Sequence, residues 1–139
     1  MLGAVLALVA GVAWWTYPGN RLDRQFRGVD VPESFQLVRE RSDVVPWFPE
    51  CFDHCSLKAR YYTTSVPARE AADALHAALR AAGYEITWSG PCGPPGRPPA
   101  ERECFWSTTG TKSGYIASAR VPPPGSGPTR AQLMISVSG

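Results

Sequence analysis

The chain has 139 residues, a net charge of +2 and 19% charged side chains. That is room for one domain with one modest core, and the near-neutral balance gives no electrostatic reason to expect nucleic acid or an acidic substrate as partner. Fourteen prolines and thirteen glycines are the unusual counts. Nine of those prolines fall in Gly90 to Ala100 and Pro122 to Pro128, so both stretches read as loops and the segments between are free to form regular structure.

Leu2 to Tyr17 (LGAVLALVAGVAWWTY) carries no charge. Its sixteen residues make a helix of roughly 24 Å, somewhat short of a ~30 Å hydrocarbon core. Trp14, Trp15 and Tyr17 stand at its end, where amphipathic rings settle at headgroup level, and Pro18-Gly19-Asn20 stops the helix. Snorkelling by Arg21 and Arg24 covers part of the mismatch. The expectation is a retained transmembrane anchor over residues 1–17. A cleaved signal peptide is disfavoured by the absence of a basic n-region and of a small-x-small site, and an apolar helix buried in the core is the third alternative. Gly3, Ala7 and Gly11 recur every fourth residue and form a stripe on which a second membrane helix can pack closely.

Orientation brings a conflict. Arg21, Arg24 and Arg27 follow the apolar segment, which by the positive-inside rule places the domain in the cytoplasm, although Asp23 and Asp30 are interspersed with them. The four cysteines argue the other way. Adjacency pairs Cys51 with Cys55 across a tight turn and Cys92 with Cys104 across the first proline loop, a closure contributing on the order of 3 kcal/mol. Disulfides persist in oxidising compartments, so the domain is expected on the extracytoplasmic, periplasmic or outer side of the cytoplasmic membrane. Cys51, His54 and Cys55, joined by Cys92 or Cys104, are also soft ligands for zinc or copper, but the spacing lacks two compact knuckles and the companion histidine and methionine of a blue-copper site.

Residues 18–33 read as an irregular linker, and 34–139 as the extracytoplasmic domain. Phe35, Leu37 and Arg39 alternate with polar neighbours in a first strand over about 34–41. The proline-rich Val44 to Glu50 connection leads to the Cys51 turn. Its aromatics Trp47 and Phe48, with Phe52, either plug the core or present a contact surface to a partner. Leu57 to Val66 is β-prone. Pro67 then opens an amphipathic helix ended by Gly83, with Ala68, Ala71, Ala72, Leu75, Ala78, Leu79 and Ala82 on one face and Arg69, Asp73, His76 and Arg80 on the other. Strands follow at Tyr84 to Trp88, Glu103 to Thr108, Tyr115 to Val121 and about 131–137. The order β-β-α-β-β-β-β predicts an α+β domain, one helix packed on an antiparallel sheet.

The search for chemistry finds little. No nucleophile elbow, metalloprotease helix or glycine-rich phosphate loop occurs, and Gly110-Thr111-Lys112-Ser113 reads as a hairpin turn. His76 falls on the polar helix face, and Asp53 beside His54 lacks a nucleophile and a third orienting group. The Ala81-Ala82-Gly83-Tyr84 ending is of a kind common in small extracytoplasmic domains of GC-rich bacteria and identifies no family. The expectation is therefore a non-catalytic, single-pass accessory or scaffolding subunit of a larger membrane protein complex, an energy-transducing one being the candidate. It has no cofactor, and its partners are other membrane subunits and the lipid bilayer. A tethered sensor or ligand-binding module, and a metal-handling protein built on Cys51, His54 and Cys55, are the alternatives.

Overall fold

The computed structural model describes residues 1–44, 55–89, 92 and 105–138. Three helices and six strands follow in the order α1 (Leu2–Thr16), α2 (Pro18–Arg27), β1 (Phe35–Asp43), β2 (Leu57–Thr64), α3 (Ala68–Ala81), β3 (Glu85–Trp88), β4 (Trp106–Lys112), β5 (Tyr115–Val121) and β6 (Thr129–Val137). The strands form one sheet, ordered β1-β2-β6-β5-β4-β3, in which every neighbouring pair is antiparallel. The protein is thus α+β with an antiparallel six-stranded sheet and helices, as the hydrophobic periodicity predicts.

The core lies on one face of that sheet. Along β6, Ala131, Leu133, Ile135 and Val137 are buried while their neighbours are only partly so, the period of 2 expected of a half-covered strand. α3 covers this face over β5 and β6 and reaches β3 and β4. Its buried residues are Ala68, Ala71, Ala72, Leu75, Ala78 and Leu79, six of the seven assigned to its apolar stripe, with Ala82 partly buried. Alanine at most of these positions lets the helix approach closely, so Leu75 and Leu79, both at 0% exposure, reach the sheet's inward residues. Where β3 crosses β4 there is no space at all. A Cβ on Gly110, which pairs with Ile86, would stand 2.0 Å from the Glu85 carbonyl oxygen and 2.4 Å from Ile86 Cγ2. Gly110 therefore belongs to the strand interior. The turn lies at Ser113 and Gly114, both with positive φ.

Two expectations are corrected. Pro18 to Arg27, read as irregular linker, is a helix, with Pro18 at its first turn and Pro18, Gly19, Leu22 and Phe26 buried. The same proline that ends α1 pre-sets φ for the start of α2, a role read as termination alone. Leu22 at 0% and Phe26 at 2% exposure, followed by Val29 at 6%, belong to the main core and rest beside β6. The second correction concerns β1, where Phe35 is buried but Leu37 and Val38 are 53% and 64% exposed. A register shift between Leu37 and Arg39 breaks the alternation and moves Arg39 off the face that carries Phe35, while Leu37, still opposite Tyr62, is left exposed on the edge strand.

Charged side chains hold α2 to the sheet. On the inward face of β2, Lys58 and Arg60 occupy positions in line with the buried Tyr62 and Thr64. Lys58 is 8% exposed and is ion-paired to Asp23 of α2, with Glu40 of β1 at 3.5 Å. Arg60 donates to Glu40 at 2.7 Å and lies 4.6 Å from the centre of the Phe26 ring. A cation in a nearly dry position is tolerated only when paired, and Asp23 and Glu40 supply the countercharges.

Candidate functional site

α1 stands apart from everything just described. None of its residues is buried, and its large apolar side chains are exposed from 56% at Trp15 to 82% at Leu2. The alternative of an apolar helix packed in the protein's own core is thereby excluded. The apolar residues go all the way round the helix with no polar face, so it has no side suited to lying on a surface. A Cβ placed on Gly3 or Gly11 would meet nothing within 4 Å, and Ala7, Leu8, Gly11, Val12 and Trp15 outline a shallow apolar groove along the helix. The predicted packing stripe thus faces away from the rest of the chain.

No single described helix is long and apolar enough to cross a membrane; α1 and α2 pass on length and composition only when taken together, as a pair bent by 62°. The bend has a local cause. Tyr17 precedes a proline, which disfavours the helical region, and it adopts φ −57° and ψ 129°. Breaking the helix there orphans the last carbonyls of α1, and side chains of α2 satisfy two of them. Asn20 Nδ2 donates to the Trp14 carbonyl at 2.8 Å, and Arg24 Nη2 donates to the Trp15 carbonyl at 2.6 Å. The Arg24 guanidinium lies 3.9 Å from the centre of the Trp15 ring, and its Nη1 is buried without a hydrogen-bond partner among the described residues. Arg21 donates to Tyr115 Oη at 3.1 Å on β5. Gly19 lets the turn close against Tyr17 and Val44, since a Cβ there would meet Tyr17 Cε1 at 3.1 Å and Val44 Cγ2 at 3.6 Å. The elbow is therefore a braced joint continuous with the core.

The remaining predicted residues divide. Trp14 and Trp15 are 59% and 56% exposed and Tyr17 is 39% exposed, grouped at the elbow. Cys55 and Cys92 are both disulfide-bonded. Cys51, Cys104, His54, Trp47, Phe48 and Phe52 lie outside the described residues, as does the 93–99 proline loop. Among the described residues no group of three or more His, Cys, Asp or Glu side chains converges as a metal site.

Two further features bear on chemistry. His76, expected to be solvated, instead stacks flat on Trp88 with ring centres 4.4 Å apart. Its Nδ1 lies 3.1 Å from Thr108 Oγ1. That hydroxyl donates to the Thr87 carbonyl at 3.0 Å, so Nδ1 carries the proton and donates to Thr108. Burial, reinforced by Arg80 and opposed by Asp73, holds the imidazole below its ordinary titration range. The Thr108 hydroxyl beside it is buried and turned to the Thr87 carbonyl, and the His76 contacts tie α3 to the β3–β4 edge. The second feature is a groove of about 650 Å³ under the 122–128 loop, lined by Thr63, Arg69, Trp106, Pro123 and Arg130 among others. Sequence reasoning missed this groove because it forms between the second proline loop and the start of α3, far apart in the chain.

No family model, curated protein or solved structure matches the chain.

Proposed function

We propose that the protein is a single-pass membrane subunit whose α+β domain stands on the extracytoplasmic side and serves a larger membrane protein complex by binding and placement, without catalysis. The observation that carries this reading is α1, a helix of 15 residues with none buried, fixed to the domain by a braced elbow. At about 22 Å it is shorter than a ~30 Å hydrocarbon core. The exposed Trp14, Trp15 and Tyr17 mark one interface, and local bilayer thinning or a neighbouring helix makes up the difference. Asn20 and Arg24 bind carbonyls of Trp14 and Trp15, contacts between α1 and the domain that support retention over cleavage. The disulfide state of Cys55 and Cys92 supports an oxidising compartment and withholds Cys55 from metal. Arg21 and Arg24 are engaged with Tyr115 and Trp15, which weakens them as topology signals against that placement.

The open stripe of Gly3, Ala7 and Gly11 is the surface on which this reading places a partner helix. Purification in mild detergent followed by mass measurement of the intact species tests it. A defined heteromeric mass supports the subunit, and a monodisperse monomer with no co-purifying protein refutes it.

The groove beneath the 122–128 loop favours a second reading, a tethered ligand-binding module, because its size lies in the range of small-molecule sites and Arg69 and Arg130 line it. Selective protection of Trp106 fluorescence or a thermal shift with small anions would support that alternative, and no response across an anion panel would count against it.

A further inference from the structure

The side of α2 that turns away from the core has a charge pattern of its own. With Pro18, Gly19, Leu22 and Phe26 buried, the 100° step of the helix puts Asn20, Arg24 and Arg27 on the opposite side. α1 leaves from that side, since Asn20 and Arg24 are the residues that reach the Trp14 and Trp15 carbonyls. The only acidic residue of α2, Asp23, is turned to the flank and neutralised by Lys58. The outer face is therefore cationic with no countercharge on its own helix. The 62° bend inclines α2 by about 28°, the complement of that angle, from the plane perpendicular to α1.

If α1 stands upright in a bilayer, this face looks at the headgroups of the leaflet the domain sits on. We infer that the outer face of α2 is a seat for an anionic phospholipid headgroup, with Arg24 and Arg27 as its cationic ligands and Trp15 as its apolar wall. The inference rests on the membrane-anchor reading above. Its second support is Arg24 itself. Of its terminal nitrogens, Nη2 is committed to the Trp15 carbonyl, whereas Nη1 is buried with no acceptor among the described residues. A shielded guanidinium N–H without an acceptor is costly, and a planar guanidinium suits a phosphate oxygen. The Trp15 ring over which the guanidinium lies is 56% exposed, so the Arg24 and Trp15 pair stands at the surface of the elbow. Arg27, exposed in the last turn of the same helix, supplies a second positive charge with the same outlook.

The test uses the full chain in mild detergent, offered equimolar phosphatidylglycerol and phosphatidylcholine, with bound lipid read by native mass spectrometry and insertion read separately by flotation with neutral vesicles. The expected result is preferential retention of phosphatidylglycerol, reduced about fivefold by Arg27→Gln and further by the Arg24→Gln, Arg27→Gln pair, with the preference falling as salt is raised. Arg27→Gln keeps the test decisive even if loss of Arg24 disturbs the elbow, because no described contact depends on Arg27. Equal retention of the two lipids, or an unchanged preference in the variants, while the chain still floats, overturns the headgroup seat and leaves the anchor standing. Failure to float with neutral vesicles overturns both.

Discussion

Replacing Leu22 with alanine separates a docked helix from a tether. Leu22 is 0% exposed and packs in the same core as Leu75, Leu133 and Ile135. Removing its three outer carbons deletes buried apolar surface and leaves a cavity between α2 and the sheet, and such changes cost about 2–5 kcal/mol. The neighbours include Phe26 above and the Asp23–Lys58 pair beside it, both tied to fixed elements, so collapse into the gap is limited and about 3 kcal/mol is expected. For a domain of this size that lowers the melting midpoint by roughly 10 °C. The assay is denaturant and thermal unfolding of the full chain in mild detergent, followed by circular dichroism, with Leu8→Ala as the control. Leu8 is 68% exposed on α1 and its truncation leaves the domain midpoint where it was. A Leu22→Ala change below about 0.5 kcal/mol, the range of surface substitutions, would refute the docking of α2 and the fixed elbow with it.

Other outcomes follow from single contacts. Gly110→Ala forces a Cβ onto the Glu85 carbonyl and Ile86 and costs about 2–3 kcal/mol with loss of β3 pairing, read as lost amide protection at Thr87 and Ser89, whose N–H groups face β4. Burial pushes the Tyr84 phenol up from 10.0 to about 12, with Tyr115 adding to the shift. Its stabilising contribution is complete below pH 10 and is lost as pH rises toward 12, because the unfolded chain releases its proton first. Tyr84→Phe removes this part of the alkaline slope, and ultraviolet titration of the native protein shows late-titrating phenol absorbance, to which buried Tyr62 also contributes, that is reduced in the variant. For His76 the sign is opposite. Its native pKa lies below 6.5, so stability falls as pH drops below that value, where the unfolded chain protonates first, and His76→Gln flattens this acid limb.

The helix α3 and strands β3, β5 and β6 are legible because their apolar residues repeat at 3.6 or 2 and each lies against a single core, and β2 is legible from its β-branched and aromatic content. α2 left a signal that was not used. Leu22, Phe26 and Val29 repeat at helical spacing, and Pro18 stands at a position where proline starts a helix as readily as it stops one. The arginines around them read as snorkelling and topology signals, yet Arg21 and Arg24 lie across Tyr115 and Trp15. The burial of Lys58 was not legible, since its partners Asp23 and Glu40 come from a segment read as linker and from an edge strand. The β1 irregularity was hidden for a similar reason. A one-residue shift after Leu37 changes which side chains of this edge strand face inward, which alternation cannot anticipate. At the candidate site, the apolar stripe and aromatic cluster of α1 were readable residue by residue, while the bracing of the elbow depends on side chains six and nine positions away in sequence.

The subunit claim meets its most direct test on α1 itself. A photo-reactive amino acid placed at Ala7, at the middle of the open stripe, is activated in native membranes, and the products are resolved by mass. The proposal predicts one dominant adduct with a membrane protein of defined mass, absent when the label is moved to the stripe's far side at Val9. Adducts with lipid alone from both positions would contradict it.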